Sequence, residues 1–306
     1  LKGFLSLLGA FALAGTSVVA ARFVSGALGT FTIAAASLLL ALAALIPISW
    51  RKLRECLNGM TPADFLPLIL QSLFGIFLFR MFLLTGLTRT SSVEAGILTG
   101  ATPAITALAA AVLLKEAPDA GKVLGILCTV AGMLLIQGFV GARFALDHLA
   151  GNLLVLCAAG SESAFNILSR LNATRGRRPL HPISQTVLVT AIAFALCVVP
   201  ALFEDPVRRL AAIGAREWLA LIWYGLIVTA LAFLLWYHGI RRCGAFTAAA
   251  ASGVMPFVSL ALSVWVLGEK AGPRQWLGGI AVALGMALIG AGGRDKKKGR
   301  TVPWAK

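Results

Sequence analysis

The sequence predicts an all-α integral membrane protein with ten transmembrane helices arranged as two inverted five-helix repeats. Three observations predict it. First, 59% of the residues are hydrophobic and only 13% charged, with a mean hydropathy of +0.89. A soluble domain usually carries about 25% charged residues, so this chain cannot cover itself for water. Second, the second half repeats the first. Pro103 and Glu116 correspond to Pro256 and Glu269, Gly125 and Gly132 to Gly278 and Gly285, and Ile136 to Ile289, at one offset of roughly 153. Third, 306 residues at about 20 per span leave room for roughly ten spans and almost nothing else.

Hydrophobic runs and their interruptions place the spans. The first half (1–140) holds five, at about 3–21, 30–49, 64–87, 92–114 and 119–140. A short amphipathic connection follows, GARFALDHLA, centred on 141–149. The second half (150–291) holds five more, at about 150–170, 183–203, 217–239, 247–268 and 273–291. The segment 292–306 is a basic tail. The weakest boundary lies between the first two spans, where Arg22, Gly26 and Gly29 interrupt one long apolar run. The first stretch lacks a small-residue cleavage site and reads as a span, not a signal peptide.

Lys and Arg set the orientation. With the N-terminus in the cytoplasm, roughly 18 basic residues fall inside and roughly 8 outside. Both termini are then cytoplasmic. Five spans per repeat is an odd number, so the halves insert with opposite topology, an arrangement typical of secondary transporters. The net charge of +15 and pI near 10.5 reflect this bias together with contact to anionic lipid. Nucleic-acid binding is not implied, because the basic residues sit in short loops and the tail. Arg294, Lys296, Lys297, Lys298 and Arg300 make that tail a lipid anchor.

Catalysis and metal binding find little support. Cys56, Cys128, Cys157, Cys197 and Cys243 are scattered without a CxxC, and His148, His181 and His238 do not cluster. There is no HExxH, no GxSxG and no GxxxxGK[ST], so neither a zinc hydrolase, a serine hydrolase nor an ATP-driven pump is written in this chain. No cofactor is expected and the chain reads as a non-enzyme.

Three strings carry a family resemblance: ATPAITALAAAVLLKEAPDAGKVLGILCTVAGMLLI, LLWYHGIRRCGAFTAAAASGVMPFVSLALSVWVLGEK and RQWLGGIAVALGMALIG. A Pro-bearing helix, a Lys-Glu or Gly-Glu hairpin and a Gly-rich helix occur in that order twice. In this the chain resembles the EamA-type branch of the drug/metabolite transporter superfamily, over essentially its whole length. The resemblance implies ten helices, cytoplasmic termini, a bacterial cytoplasmic (inner) membrane, and movement of small metabolites, often amino acids. One departure matters. Family members often carry an Arg in the second span, and TFTIAAASLLL has none, so substrate contacts of that position do not carry over.

Candidate transport residues follow from charge and helix breaks at membrane depth. Arg80 lies inside the third span, where an Arg costs at least about 2.5–3.5 kcal/mol on insertion scales and should face a cavity or a partner. Snorkelling to the outer headgroups is the plainer alternative. Its repeat counterpart is Phe233, so the fold itself does not demand a charge there. Glu162, near the centre of the sixth span, forms a polar stripe with Asn166 and Ser169 at i, i+4 and i+7. Its counterpart in the first span is Ala14. A carboxyl there can carry a proton or meet a substrate ammonium, or can simply neutralise Arg80. Glu94 opens the fourth span, as a helix-dipole partner or a coupling site. Pro103 and Pro256, with Gly100 and Gly253, mark helix breaks or hinges at the repeat interface. Trp223, Tyr224 and Trp265 are candidates for stacking a ring or covering a cation; an aromatic belt at the span ends is the alternative.

The function expected is secondary transport of small metabolites, amino acids or related zwitterions, by alternating access, in the export direction and with protons as a candidate coupling ion. A lipid or lipophilic-drug translocase on the same fold is the alternative. The partners are the small-molecule substrate and the bilayer; the chain acts as a monomer or a homodimer.

Overall fold

The structure is a computed structural model that describes residues 2–24, 26–87, 89, 102–109, 112, 120–136, 149–175, 180–267 and 272–292. Glu94, Gly100, Glu116, Glu269, the connection between the halves and the basic tail lie outside the described residues. Among the described residues every regular element is a helix.

Six helices are long and apolar enough to cross a membrane: Lys2–Ala21, Thr30–Asn58, Pro62–Gly86, Leu149–Thr174, Pro182–Glu204 and Ala215–Ile240. They fall where the first, second, third, sixth, seventh and eighth spans were expected. Further helices occupy the remaining places: Thr102–Ala109, Ala120–Ile136, Ala245–Ala251, Val254–Leu267 and Pro273–Gly292. The chain is an integral membrane protein built of helices.

The second span departs from expectation by running on to Asn58. Its apolar run ends near Trp50, yet the next turns stay helical. Leu53 and Cys56 are buried three residues apart, while Arg51, Lys52 and Arg54 point outward. That is the amphipathic spacing that holds a helix onto a protein surface beyond the lipid. The first span breaks at Thr16, between Lys2–Gly15 and Ser17–Val24. The ninth breaks at Ser252 and Gly253, and Pro256 falls in the first turn of the helix that follows, where its missing N–H costs nothing. Pro103 lies in Thr102–Ala109, the described part of the fourth span.

The packing is reciprocal between the halves. The fifth span packs on the tenth, the second on the seventh, the first on the eighth, and the third on the sixth. Each of these pairs either joins counterparts or has its counterpart pair also in contact. Glycines show the same reciprocity. A Cβ on Gly132 would stand 2.6 Å from the Gly278 carbonyl oxygen, and one on Gly285 would stand 2.6 Å from the Gly125 carbonyl oxygen. Gly86 meets the Gly151 carbonyl and Gly239 the Gly3 carbonyl in the same way. With little hydrophobic force between helices in lipid, such close backbone approach is what holds them together.

The third and eighth spans share a further feature. Each contains a wide π-helical stretch, Leu73–Leu78 and Tyr224–Leu231, before returning to α-helix at Phe79 and Ala232. These two return points differ by the repeat offset. Wide turns of this kind recur at functional sites because they rotate side chains away from their α-helical directions.

Candidate functional site

The two π stretches border a cavity of about 140 Å³ between the first, third, sixth, eighth and ninth spans. Its wall is mostly apolar and rich in rings, with Phe11, Phe79, Phe165, Tyr224, Phe233 and Trp236 among the lining residues. The polar groups on it include Arg80, Glu162 and Asn166. Both asymmetric pairs read from the repeat meet here: Arg80 and its counterpart Phe233, and Glu162 and its counterpart Ala14, all line this one space.

Arg80 is 92% buried in a segment that spans the membrane, since only 8% of it is exposed. Its Nη1 donates to Ser37 Oγ at 3.1 Å and its Nη2 to Thr229 Oγ1 at 3.2 Å. Both hydroxyls spend their own protons on backbone carbonyls, Ser37 on Ala34 and Thr229 on Tyr224, so each turns lone pairs to the guanidinium. The Thr229 bond reaches back five residues and belongs to the π stretch. The Tyr224 ring lies 4.5 Å from Arg80 Cζ, in cation–π range. Among the described residues no carboxylate is ion-paired to Arg80; the cation is held by neutral oxygens and a ring face.

Glu162 is held elsewhere. Thr102 Oγ1 donates to its Oε2 at 3.2 Å. One turn on, Asn166 Nδ2 donates to Thr106 Oγ1 at 3.4 Å, and Ser163 Oγ donates to the Thr102 carbonyl at 3.2 Å. Glu162, Ser163 and Asn166 of the sixth span therefore face Thr102–Ala109, the described part of the fourth. Glu162 and Arg80 share the cavity wall without pairing to each other.

At one end of the cavity the rings close ranks. Trp236 lies between Phe11, at 5.4 Å edge to face, and Phe165, at 5.5 Å. Phe165 also meets Phe233 at 5.8 Å and Tyr237 at 6.4 Å. Their centroid separations are those of favourable aromatic pairs.

The candidates from the sequence thus divide. Arg80, Glu162, Asn166 and Tyr224 line one cavity. Trp223 does not line the cavity; its Nε1 donates to Thr16 Oγ1 at 2.8 Å at the break of the first span. Trp265 is 76% exposed, an outward position that fits the belt reading and not a ring-stacking one. Gly253 sits at the break of the ninth span, and Met255 just beyond it lines the cavity. Sequence reasoning missed Ser37 and Thr229, ordinary hydroxyl residues with no signal of their own, and the ring cluster at the cavity's end.

The EamA-like transporter family matches the chain twice, over residues 1–138 and 149–291. Uncharacterized transporter YetK of Bacillus subtilis (strain 168) is 29% identical over 268 residues, which cover 87% of this chain and 80% of that protein. Aromatic amino acid exporter YddG of Ancylobacter novellus is 28% identical over 227 residues, 74% of each chain. One crystal structure superposes with a TM-score of 0.75 at 24% identity, over 94% of this chain and 98% of its own, a likeness of fold. Matched by that family in both halves, and resembling its members along most of its length, the chain belongs to the EamA-like transporter family.

Proposed function

We propose that the chain exports amino acids or closely related zwitterions, those with ring side chains foremost, by alternating access of the cavity to the two sides of the membrane. The observation that carries this reading is the cavity's wall: a buried Arg80 without a carboxylate partner among the described residues, a separate Glu162, and rings between and around them. Arg80 receives the substrate carboxylate. Glu162 receives the ammonium group or a proton, with Asn166 beside it. The rings take the side chain; a space of about 150 Å³ holds a benzene ring. Lipophilic cations suit this wall less well, because Arg80 repels them.

The reciprocal packing supports an inverted-repeat mechanism, in which each half presents the surface that the other half presents in the opposite state. With both termini in the cytoplasm, the basic end of the bundle, with Arg51, Lys52, Arg241 and Arg242, is the inner end. A name borne by the Ancylobacter relative, aromatic amino acid exporter, agrees with the substrate class and direction.

The test is counterflow of labelled phenylalanine, tryptophan and aliphatic amino acids in proteoliposomes, with and without a pH gradient. Wild type should exchange a ring-bearing amino acid. Arg80→Ala should abolish exchange, and Glu162→Gln should keep exchange while losing its response to the gradient. A wild type inert toward every amino acid, yet active in scrambling labelled lipid, would replace this reading with the lipid translocase.

A further inference from the structure

Beyond the ring cluster, toward the basic end of the bundle, side chains from four spans meet on one oxygen. Gln71, in Pro62–Ser72, is completely buried. Its Oε1 accepts from Gln185 Nε2 at 3.0 Å, from Tyr237 Oη at 3.0 Å and from Ser169 Oγ at 3.5 Å. Those donors sit on the seventh, eighth and sixth spans. Arg241 Nη2 donates to Gln185 Oε1 at 2.8 Å.

The polarity of this network follows from Arg241 alone. Arginine only donates, so Gln185 must turn its oxygen to Arg241 and its nitrogen to Gln71. Gln71 must then turn its oxygen inward, and Tyr237 must donate. Burial pulls Arg241 down to about 10, which leaves it charged at neutral pH. The outcome is lopsided. A carbonyl oxygen has two lone pairs and three donors crowd this one, while Gln71 Nε2, also buried, has no hydrogen-bond partner among the described residues. A partly satisfied buried network gives up less on separating than a complete one.

Its place in the molecule matters as much. Gln71 lies nine residues before Arg80 in the same span, about 13 Å along it. Tyr237 follows Trp236, which lines the cavity, and packs on Phe165 and Phe233. A solute leaving the cavity toward the basic end must part these rings and then this network. The network ties the third span, in the first half, to three spans of the second half. At the repeat offset Gln71 corresponds to Tyr224, the residue under Arg80. The repeat thus sets unlike groups at equivalent levels of its two halves: a ring beneath a cation in one, a neutral amide crowded by donors in the other.

We propose that Gln71, with Tyr237, Gln185 and Ser169, forms the gate that closes the cavity toward the end of the bundle carrying Arg241. This rests on the reading of the cavity as a transport path. Rocking one half against the other breaks the Gln71 contacts, and the cavity then opens to that side.

The test reads accessibility and needs no substrate. The five native cysteines are replaced by Ala and a single Cys is placed at Ala14, on the cavity wall. Alkylation by a membrane-impermeant maleimide is timed from each side, in vesicles of both orientations. With the network intact, labelling from the Arg241 side should be slow. Tyr237→Phe removes one hydrogen bond and should speed that labelling about fivefold while slowing labelling from the opposite side. Gln71→Leu should do so more strongly, and Gln71→Glu, which keeps the acceptor, should restore the slow rate. Unchanged labelling in both Tyr237→Phe and Gln71→Leu overturns the proposal. So does a rise from both sides together, which marks general loosening. A shift in sidedness in a protein that exchanges no amino acid upholds the gate and sinks the substrate assignment instead.

Discussion

Replacing Arg80 with Met separates recognition from stability, because the two should move in opposite directions. The side chain is buried among neutral oxygens and a ring, with no anion paired to it among the described residues. Holding a guanidinium at this depth costs about 2.5–3.5 kcal/mol on insertion scales, offset in part by two hydrogen bonds and the Tyr224 ring. Met keeps the apolar bulk and removes the charge. Ser37 and Thr229 keep their own bonds to backbone carbonyls, so no donor is orphaned. Thermal stability in detergent should therefore hold or rise. Binding should fall. A hydrogen bond to a charged group contributes about 1.5–3 kcal/mol, which corresponds to roughly 10- to 150-fold in affinity. The half-saturation concentration for phenylalanine in counterflow should rise by that factor. Phenethylamine, which lacks the carboxylate, supplies the internal control. Its competition against a labelled substrate should hold or improve, because Arg80→Met also removes the repulsion of its ammonium group. Equal losses for the acid and the amine would refute a carboxylate contact. A fall in thermal stability that tracks the loss of transport would show that Arg80 serves the fold.

Glu204 should matter to the fold and not to transport. Its carboxylate accepts from Phe31 N at 3.2 Å, and from Thr32 N and Thr32 Oγ1 at 2.8 Å each, and so caps the N-terminus of Thr30–Asn58. Glu204→Ala should cost about 1–2 kcal/mol, seen as a lower melting temperature in detergent with counterflow affinity unchanged. Gly285→Leu should do worse, since a Cβ there already crowds the Gly125 carbonyl; loss of monodisperse protein on size exclusion is the expected result, with Gly160→Ala, where a Cβ meets open space, as the harmless control. Moving the charge across the repeat, in Arg80→Phe combined with Phe233→Arg, should restore part of the preference for phenylalanine over phenethylamine that Arg80→Phe alone loses. The double variant binding no better than the single one would mean that Ser37, Thr229 and Tyr224 are indispensable to the position.

The spans were legible because lipid removes the alternatives: a long apolar run has to be a helix, and the long helices fall where the runs do. What was not legible depends on contacts across the chain. The extension to Asn58 exists because Leu53 and Cys56 find protein to pack against, and nothing in RKLRECLN says so alone. The π stretches too lie among contacts made across the chain: within them Gly225 brings its backbone against the Ser37 carbonyl, and Gly75 brings its own against the Phe165 ring. Arg80 and Glu162 were legible because charge at membrane depth is costly enough to need a reason. Gln71 and Gln185 carry the same signal more faintly. A neutral amide in hydrocarbon also needs partners, and two of them, each in the apolar run of a different span, were grounds to look for a meeting point.

On the proposed function, the repeat frames the cavity and the departures from it set what the cavity prefers. Counterpart helices and counterpart glycines pack reciprocally, which on the inverted-repeat reading sets the two halves about an approximate two-fold axis. Side chains near that axis arrive in pairs. A symmetric wall is a poor receptor for a molecule with unlike ends, because it offers the same group twice. Here the chain breaks symmetry at two positions only a few turns apart in depth, setting Arg80 against Phe233 and Glu162 against Ala14. Each break places one polar side chain on the cavity and leaves its counterpart there apolar. The result, on the proposed function, is a space that offers Arg80 to a carboxylate, Glu162 to an ammonium group and rings to the remainder, the pattern of a zwitterion with an apolar side chain. On the proposed function the halves use their likeness to move, while the unlike pairs on the cavity wall recognise the substrate and the unlike pair Gln71 and Tyr224 carries that asymmetry beyond the wall, toward Arg241.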